Sequence, residues 1–278
     1  EAYAGDYARA AICGREGLTL VRRTGDRTLE ARALSNLGAA YQYLGLFDEA
    51  RAFLEQGLAL CALTGDRHGR AYILVNLGGV SMLSGDLRSA RRLIEQGLSE
   101  ANDLDDASLR AGGLWELGRL DLLLGAAATA RAYLEEARRI YHAHALTARV
   151  MESDALLAQC ALLQGDPEQA RQLAHTVWRY LRERGTAGVE EALLTYLTLA
   201  DVFEALADAD TASPDAVTLR AVLQEAKALV TARADRISDP HWRRSFLDNV
   251  PANRAAMTRG RSSELASPAR DASSVPSA

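Results

Sequence analysis

Apolar residues along the chain recur at helical spacing, in two stripes separated by a short turn. The first stripe in the best-defined stretch consists of Leu34, Leu37, Tyr41 and Leu44, and the second of Phe47, Ala50, Leu54, Leu58 and Cys61. Steps of three and four residues place each stripe on one side of a helix, with polar residues on the other side. The pattern therefore predicts two amphipathic helices joined by a tight turn.

This pattern returns at a fixed interval of 40 residues. A glycine of the turn and a small residue five positions later mark each copy, namely Gly45, Gly85, Gly125 and Gly165, and Ala50, Ala90, Ala130 and Ala170. A strict period of this length is the sequence signature of a repeat architecture. We therefore predict an all-α fold, a right-handed α-solenoid of antiparallel helix pairs.

The residues at the turns fit this prediction. Glycine adopts the left-handed conformation that follows many helices without a steric penalty. Asp86 and Asp166 come next and are suited to cap the following helix, and Pro167 fits the first helical position, where no N–H is needed. Each helix pair is thus predicted from its local sequence.

The repeats are predicted to occupy residues 1–257 and to be followed by a disordered tail at 258–278. A truncated first repeat covers residues 1–26, later repeats begin near 27, 67, 107, 147 and 187, and closing helices cover 234–257. A longer turn is expected at 208–214. In the closing part, Trp242, Phe246 and Val250 share one helical face, which predicts that it lies over the open end of the last repeat.

Composition narrows the possible partners and location. The formal net charge of −5 provides no basic field of the kind that attracts nucleic acid or an anionic membrane. The chain has no long apolar run or signal peptide, and its three cysteines lack metal or disulfide spacing, so a cytoplasmic location is expected. The sequence begins inside a repeat and without Met, so we interpret it as an excerpt of a longer polypeptide.

Several positions of the repeat resemble the tetratricopeptide repeat. The resemblance rests on Leu37, Gly38, Tyr41, Gly45, Ala50, Leu54 and Gly57, and again on Leu77, Gly78, Gly85, Ala90, Ile94 and Gly97. The 40-residue period is similar to that of the long-repeat subgroup found in many bacterial regulators. Residues 243–253 (RRSFLDNVPAN) also resemble the segment that closes such arrays in large bacterial signalling ATPases, some of them transcriptional regulators.

The residue types that could support catalysis or bind a metal are better explained as non-catalytic. The chain has no phosphate-binding loop, and His142 and His144 are two positions apart, so they point to different sides of a helix. The acid pairs Glu135-Glu136 and Glu190-Glu191 lie among other charges and are interpreted as solvated faces. No catalytic, cofactor or metal site is predicted.

The resemblance implies instead that the first helix of each pair lines a concave groove. The matching positions are Arg32, Ser35, Asn36, Gln42, Tyr72, Asn76, Met82, Trp115, Arg119, Glu152 and Gln159. For Trp115, packing between neighbouring repeats is an equally weighted alternative. Ser35 and Ala39 stand where a carboxylate-clamping member would carry Lys and Asn, so binding of that kind is not expected.

These observations favour a non-catalytic interaction or sensor module of a larger cytoplasmic regulator. Its expected partner is a protein or peptide bound in the groove, with neighbouring domains of the parent chain as a further possibility. Direct nucleic-acid binding and membrane binding are not expected, and no cofactor is implied. The alternative is a structural scaffold that mediates self-association without a separate ligand.

Overall fold

The computed structural model describes residues 6–207 and 212–265, and within these ranges the chain forms thirteen α-helices and no strand. In chain order they are α1 (Tyr7–Thr24), α2 (Arg27–Tyr43), α3 (Phe47–Thr64), α4 (Arg67–Leu83), α5 (Leu87–Asp103), α6 (Ala107–Leu123), α7 (Ala127–Ala143), α8 (Thr147–Leu163), α9 (Pro167–Arg184), α10 (Ala192–Leu206), α11 (Pro214–Asp235), α12 (Pro240–Asp248) and α13 (Pro251–Leu265). Consecutive helices pack against each other in pairs. The predicted all-α solenoid is confirmed.

Small residues let the two helices of a pair approach closely. The recurring Ala50, Ala90, Ala130 and Ala170 are fully buried. Opposite them, a Cβ atom at Gly38 would lie 2.5 Å from Cγ of Leu54, and one at Gly118 would lie 2.5 Å from Cγ of Leu134. Any larger side chain at these glycines would therefore overpack the crossing.

The turns follow the predicted local chemistry. Gly45, Gly85, Gly125 and Gly165 have φ angles of 74°, 86°, 76° and 79°, in the left-handed region. The Asp86 carboxylate accepts a hydrogen bond from the backbone N–H of Ser89, and the Asp166 carboxylate accepts one from Gln169. These contacts satisfy N–H groups that have no partner within the helix.

The fifth repeat departs from the regular spacing. Its first helix begins at Ala192, although the period places the start of the repeat near residue 187. Gly185 and Gly188 both adopt left-handed φ angles, 68° and 79°, and lengthen the connection after α9. As a result, Glu190 and Glu191 lie in an irregular segment directly before α10.

The closing helices contact both ends of the array. They pack on α11, next to the last repeat, as expected. In addition, the ring of Phe246 lies 6.2 Å from that of Tyr7, and Trp242 lies 5.8 Å edge-on from Tyr41. The Asn249 side-chain amide also donates to the Gly45 carbonyl at 3.2 Å. The end of the solenoid therefore returns to its beginning, which the prediction of a cover for the last repeat did not include.

The predicted start of a disordered tail at residue 258 is wrong, because α13 continues to Leu265. Ala255, Ala256 and Met257 favour a helix, and the Arg259 guanidinium pairs with Asp201 and Glu204 of α10. The rest of the predicted tail, residues 266–278, lies outside the described residues, as do positions 208–211 of the predicted longer turn.

None of the described helices has the length and apolar character needed to cross a bilayer.

Candidate partner-binding groove

Three neighbouring hollows lie along the side of the solenoid formed by α2, α4, α6, α8 and α10. The first hollow, about 550 Å³, lies between α2 and α4 and is lined by Arg32, Ser35, Asn36 and Tyr72 among others. The second hollow, also about 550 Å³, is lined by Tyr72, Asn76, Glu116, Arg149 and Glu190 among others. The third hollow, about 500 Å³, includes Gln42, Met82, Arg119, Gln159, Glu191 and Leu194.

The structure distributes the predicted groove residues over these hollows. Arg32, Ser35 and Asn36 belong to the first hollow, and Asn76 to the second. Tyr72 lines both of them, and Gln42, Met82, Arg119 and Gln159 line the third hollow. The division arises because the first set lies toward the beginning of its helices and the last set toward the end.

Four predicted groove residues are almost fully buried. Ser35 and Met82, 3% and 5% exposed, still line hollows, whereas Trp115 and Glu152 line none of the three. Trp115 is 2% exposed and Glu152 is 1% exposed, so neither can contact a partner directly. For Trp115, the alternative of packing inside the array is therefore the correct one. Both side chains instead support the charged residues that line the hollows.

Two guanidinium groups lie over the Trp115 ring. The Arg119 Cζ atom lies 5.0 Å from the ring centroid, and the Arg149 Cζ atom lies 4.9 Å from it. A cation over an indole face is attracted by the ring quadrupole. Trp115 thus fixes Arg119, which lines the third hollow, and Arg149, which lines the second.

Carboxylates surround these two arginines. Arg119 donates to both carboxylate oxygens of Glu116, at 3.2 and 3.1 Å. Arg149 pairs with Glu152, lies 3.1 Å from the Glu190 carboxylate, and donates to the Tyr141 hydroxyl oxygen at 3.0 Å. These contacts order the wall between the second and third hollows.

A hydrogen-bonded bridge then connects this wall to the first repeats. The Glu191 backbone N–H donates to the Glu152 carboxylate at 2.9 Å, and the Tyr43 hydroxyl donates to the Glu191 carboxylate at 3.1 Å. The Tyr43 ring also stacks on Tyr7, with centroids 4.6 Å apart. The interpretation of this acid pair as a solvated face does not describe Glu191, which makes specific contacts, whereas the Glu190 side chain is 39% exposed and pairs with Arg149.

Burial shifts the ionisation of this wall. It raises the pKa of Glu152 to about 7 against the opposing effect of Arg149, and it raises the pKa of Glu116 although Arg119 is paired with it. Burial and the nearby Glu191 charge raise the pKa of the Tyr43 phenol well above its ordinary value. Glu116 and Glu152 therefore hold their protons at a higher pH than exposed carboxyls would.

Glu152 should make the protein less stable as the pH rises. Its pKa is raised from 4.5 to about 7, so between these values the folded chain retains a proton that the unfolded chain has released. The stabilisation of the folded chain by protonated Glu152 is fully present below pH 4.5 and is lost as the pH rises through 7. Urea denaturation at pH 5 and pH 8 measures how much the free energy of unfolding falls between these two values. We expect this fall to be smaller in Glu152→Gln than in the wild type, by on the order of 2 kcal/mol.

The matched control for this experiment is Glu55→Gln, which removes an exposed carboxylate on α3. It should lose as much stability between the two pH values as the wild type does. Equal pH dependence in Glu152→Gln and the wild type would show that this carboxyl does not retain its proton in the folded protein.

The described residues contain no group of three or more His, Cys, Asp or Glu side chains arranged to hold a metal ion. Cys61 and Cys160 are buried, and burial raises the pKa of each thiol to about 11. Neither is therefore poised as a thiolate nucleophile.

Comparison with known proteins agrees with this geometry. Residues 1–63 and 29–103 match a family model described as tetratricopeptide repeat. No curated protein matches the sequence significantly.

Solved structures extend the likeness along the chain, at identities that show the fold alone. A Rap protein complexed with Competence and Sporulation Factor has a TM-score of 0.60 at 14% identity, over 86% of this chain and 65% of its own. BtubC from P. vanneervenii has a TM-score of 0.60 at 17% identity, over 84% of this chain and 94% of its own. The third is a signal transduction ATPase (STAND) protein with a tetratricopeptide repeat sensor, from Pyrococcus horikoshii. It has a TM-score of 0.52 at 15% identity, over 86% of this chain and 38% of its own.

Proposed function

We propose that this chain, whose residues 1–63 and 29–103 match a tetratricopeptide repeat model, is a non-catalytic module that binds a segment of another protein in its groove. The family fold is a scaffold for protein interaction. The specific proposal is that the third hollow is the principal binding site.

One observation carries this proposal, namely the construction of the third hollow. It brings together residues from α2, α4, α6, α8, α10 and the start of α13, including Gln42, Met82, Gln159, Leu194 and Val250. Its volume of about 500 Å³ is within the range of sites that accept ligand groups. Mostly apolar walls with a few polar groups suit the side chains of a peptide.

The structural neighbours support a sensory role. One of them is a Rap protein crystallised with a factor, and another is a signalling ATPase whose repeats are named as its sensor. We propose that this chain is likewise the sensor portion of a larger cytoplasmic bacterial regulator, active in signal transduction or transcription. A ligand that prefers one conformation of the module would bias a neighbouring domain of the parent chain.

Filling the third hollow should weaken binding strongly. A phage-displayed library of 12-residue peptides is selected on the wild type, and a selected peptide is measured by calorimetry. We expect Leu194→Trp, which places an indole in the hollow, to weaken binding at least tenfold because the ligand side chains lose their space.

The control for this substitution is Leu63→Trp, the same change at a residue that is 79% exposed near the end of α3. It should bind as the wild type does. A library that yields no binding peptide, or a peptide that binds Leu194→Trp as well as the wild type, would contradict the proposed site.

Self-association is the second candidate function, and exposed leucines favour it. Leu123, Leu124 and Leu163 are 63%, 51% and 56% exposed at the ends of α6 and α8. An exposed apolar patch at one edge of a solenoid can serve as a contact between copies. Light scattering separates the two functions, because a monomer that binds the selected peptide supports the first, whereas a concentration-dependent dimer without peptide binding supports the second.

A further inference from the structure

The third hollow has an unusual distribution of charge within mostly apolar walls. Leu123, Leu194, Leu197, Val250 and Ala252 supply much of its lining. The charged groups in it are Arg119, Glu191 and Asp201. The pairing of each of these groups indicates which charge a ligand would meet in the hollow.

Two of the three charged groups already have ionic partners. The Arg119 guanidinium is paired with Glu116 at 3.1 Å, and the Asp201 carboxylate is paired with Arg259. Glu191 differs from them: among the described residues, the ion pairs do not include its carboxylate, and its hydrogen-bond partner is the neutral hydroxyl of Tyr43 at 3.1 Å.

Two cations lie near Glu191 without pairing with it directly in the described part of the chain. Arg119 is paired with Glu116, and Arg233, which lines a small adjoining cavity together with Glu191, lies over the Tyr7 ring at 5.4 Å. Four carboxyls, those of Glu116, Glu152, Glu190 and Glu191, share the two guanidiniums of Arg119 and Arg149. Arg149 forms ion pairs with Glu152 and Glu190, and Arg119 forms one with Glu116. Even with Arg233 included, these four carboxyls outnumber the three nearby guanidiniums.

Glu191 is also held in place to meet a ligand. Its backbone N–H is bound to the Glu152 carboxylate, and it lies directly before α10, whose N-terminal end favours a negative charge. The Tyr43 hydroxyl fixes one carboxylate oxygen. The carboxylate is thus presented to the hollow by contacts that do not neutralise it.

From this arrangement we infer that the occupant of the third hollow is a protein segment in which a Lys or Arg side chain lies beside aliphatic side chains. Its cation pairs with the Glu191 carboxylate, and its aliphatic groups cover the leucines of the wall. The inference rests on the proposed function, since it assigns the chemistry of the ligand to the same hollow. An acidic segment is disfavoured because it would have to displace Glu116 from Arg119.

The peptide library also tests this inference. Peptides enriched on the wild type should carry Lys or Arg beside aliphatic residues, and their affinity should fall as the salt concentration rises. Glu191→Gln keeps the acceptor for Tyr43 and removes only the charge, and we expect it to weaken binding about tenfold. Glu55→Gln, the same change on the exposed surface of α3, should bind as the wild type does.

A double-mutant cycle makes the pairing specific. Replacing the basic residue of the peptide by norleucine should cause a similar loss on the wild type and little further loss on Glu191→Gln. A melting curve shows that each variant is folded, and the salt dependence of the wild type provides a test that needs no variant.

The outcomes distinguish the two proposals. Enriched peptides that are acidic or uncharged, or equal binding to Glu191→Gln and the wild type, would overturn the assignment of a basic ligand. If Leu194→Trp still weakened binding strongly in that case, the third hollow would remain the binding site. Failure of Leu194→Trp to weaken binding would instead overturn the site itself.

Discussion

Replacing Phe246 by Ala should lower the free energy of unfolding by about 3–5 kcal/mol. Phe246 is 2% exposed and lies on α12, where its ring contacts Tyr7 of the first helix. The buried residues of the first and last repeats belong to one continuous core, so a cavity at this position weakens both ends of the solenoid. Urea denaturation measures the loss.

The same variant should also be less compact in solution, because the contact between the two ends is weakened. Small-angle X-ray scattering should show a larger radius of gyration than for the wild type. Arg244→Ala, at an exposed position of the same helix, is the control and should change neither quantity. Wild-type stability and dimensions in Phe246→Ala would show that the closing helices do not hold the ends together.

Replacing Trp115 by Ala should have a second large effect, again about 3–5 kcal/mol of lost stability. The indole is almost fully buried and carries guanidiniums on its ring, those of Arg119 and Arg149. Its removal leaves a cavity and frees both arginines from their fixed positions. Thermal and urea denaturation measure the stability, and calorimetry with the selected peptide measures binding.

Peptide binding should also weaken in Trp115→Ala, although Trp115 does not line the third hollow, because Arg119 loses its support. Trp115→Phe retains an aromatic face and should recover most of the stability and binding. If Trp115→Ala were as stable as the wild type, the stacked arrangement would not contribute to the wall. Full binding by a folded Trp115→Ala would show that the position of Arg119 is irrelevant to the ligand.

The local features of the fold could be predicted because each depends on neighbouring residues. Gly45 adopts the left-handed turn conformation that its place after an amphipathic stripe implies, and Asp86 caps the helix that follows it. Both effects act within a few residues of chain. The repeating period then extends the same prediction along the array.

The closure of the solenoid could not be predicted in this way. Tyr43 meets Glu191, 148 positions away, and Asn249 meets Gly45, 204 positions away. Such pairs depend on the rotation from one repeat to the next, which accumulates from small differences in packing. A period reveals that repeats stack but does not give the angle at which they do so.

Prediction of the groove from the sequence meets the same limit. The repeat pattern selects the helices that line it, but the depth of a side chain depends on its neighbours. Trp115 and Arg119 lie about one helical turn apart, yet Trp115 is buried and Arg119 reaches the third hollow. The contacts of Glu191 could not be predicted from its neighbours in sequence, because it lies in an irregular segment that packs against the distant Tyr43.

Hydrogen exchange of the wild-type chain, with and without the selected peptide, tests the central claim most directly. Bound peptide should slow exchange in the segments around the third hollow, at residues 119–123, 194–201 and 250–255. Exchange in α3 and α5, the second helices of their pairs, should remain unchanged. Protection confined to α3 and α5, with none around the third hollow, would contradict the claim that this solenoid binds its partner in the groove.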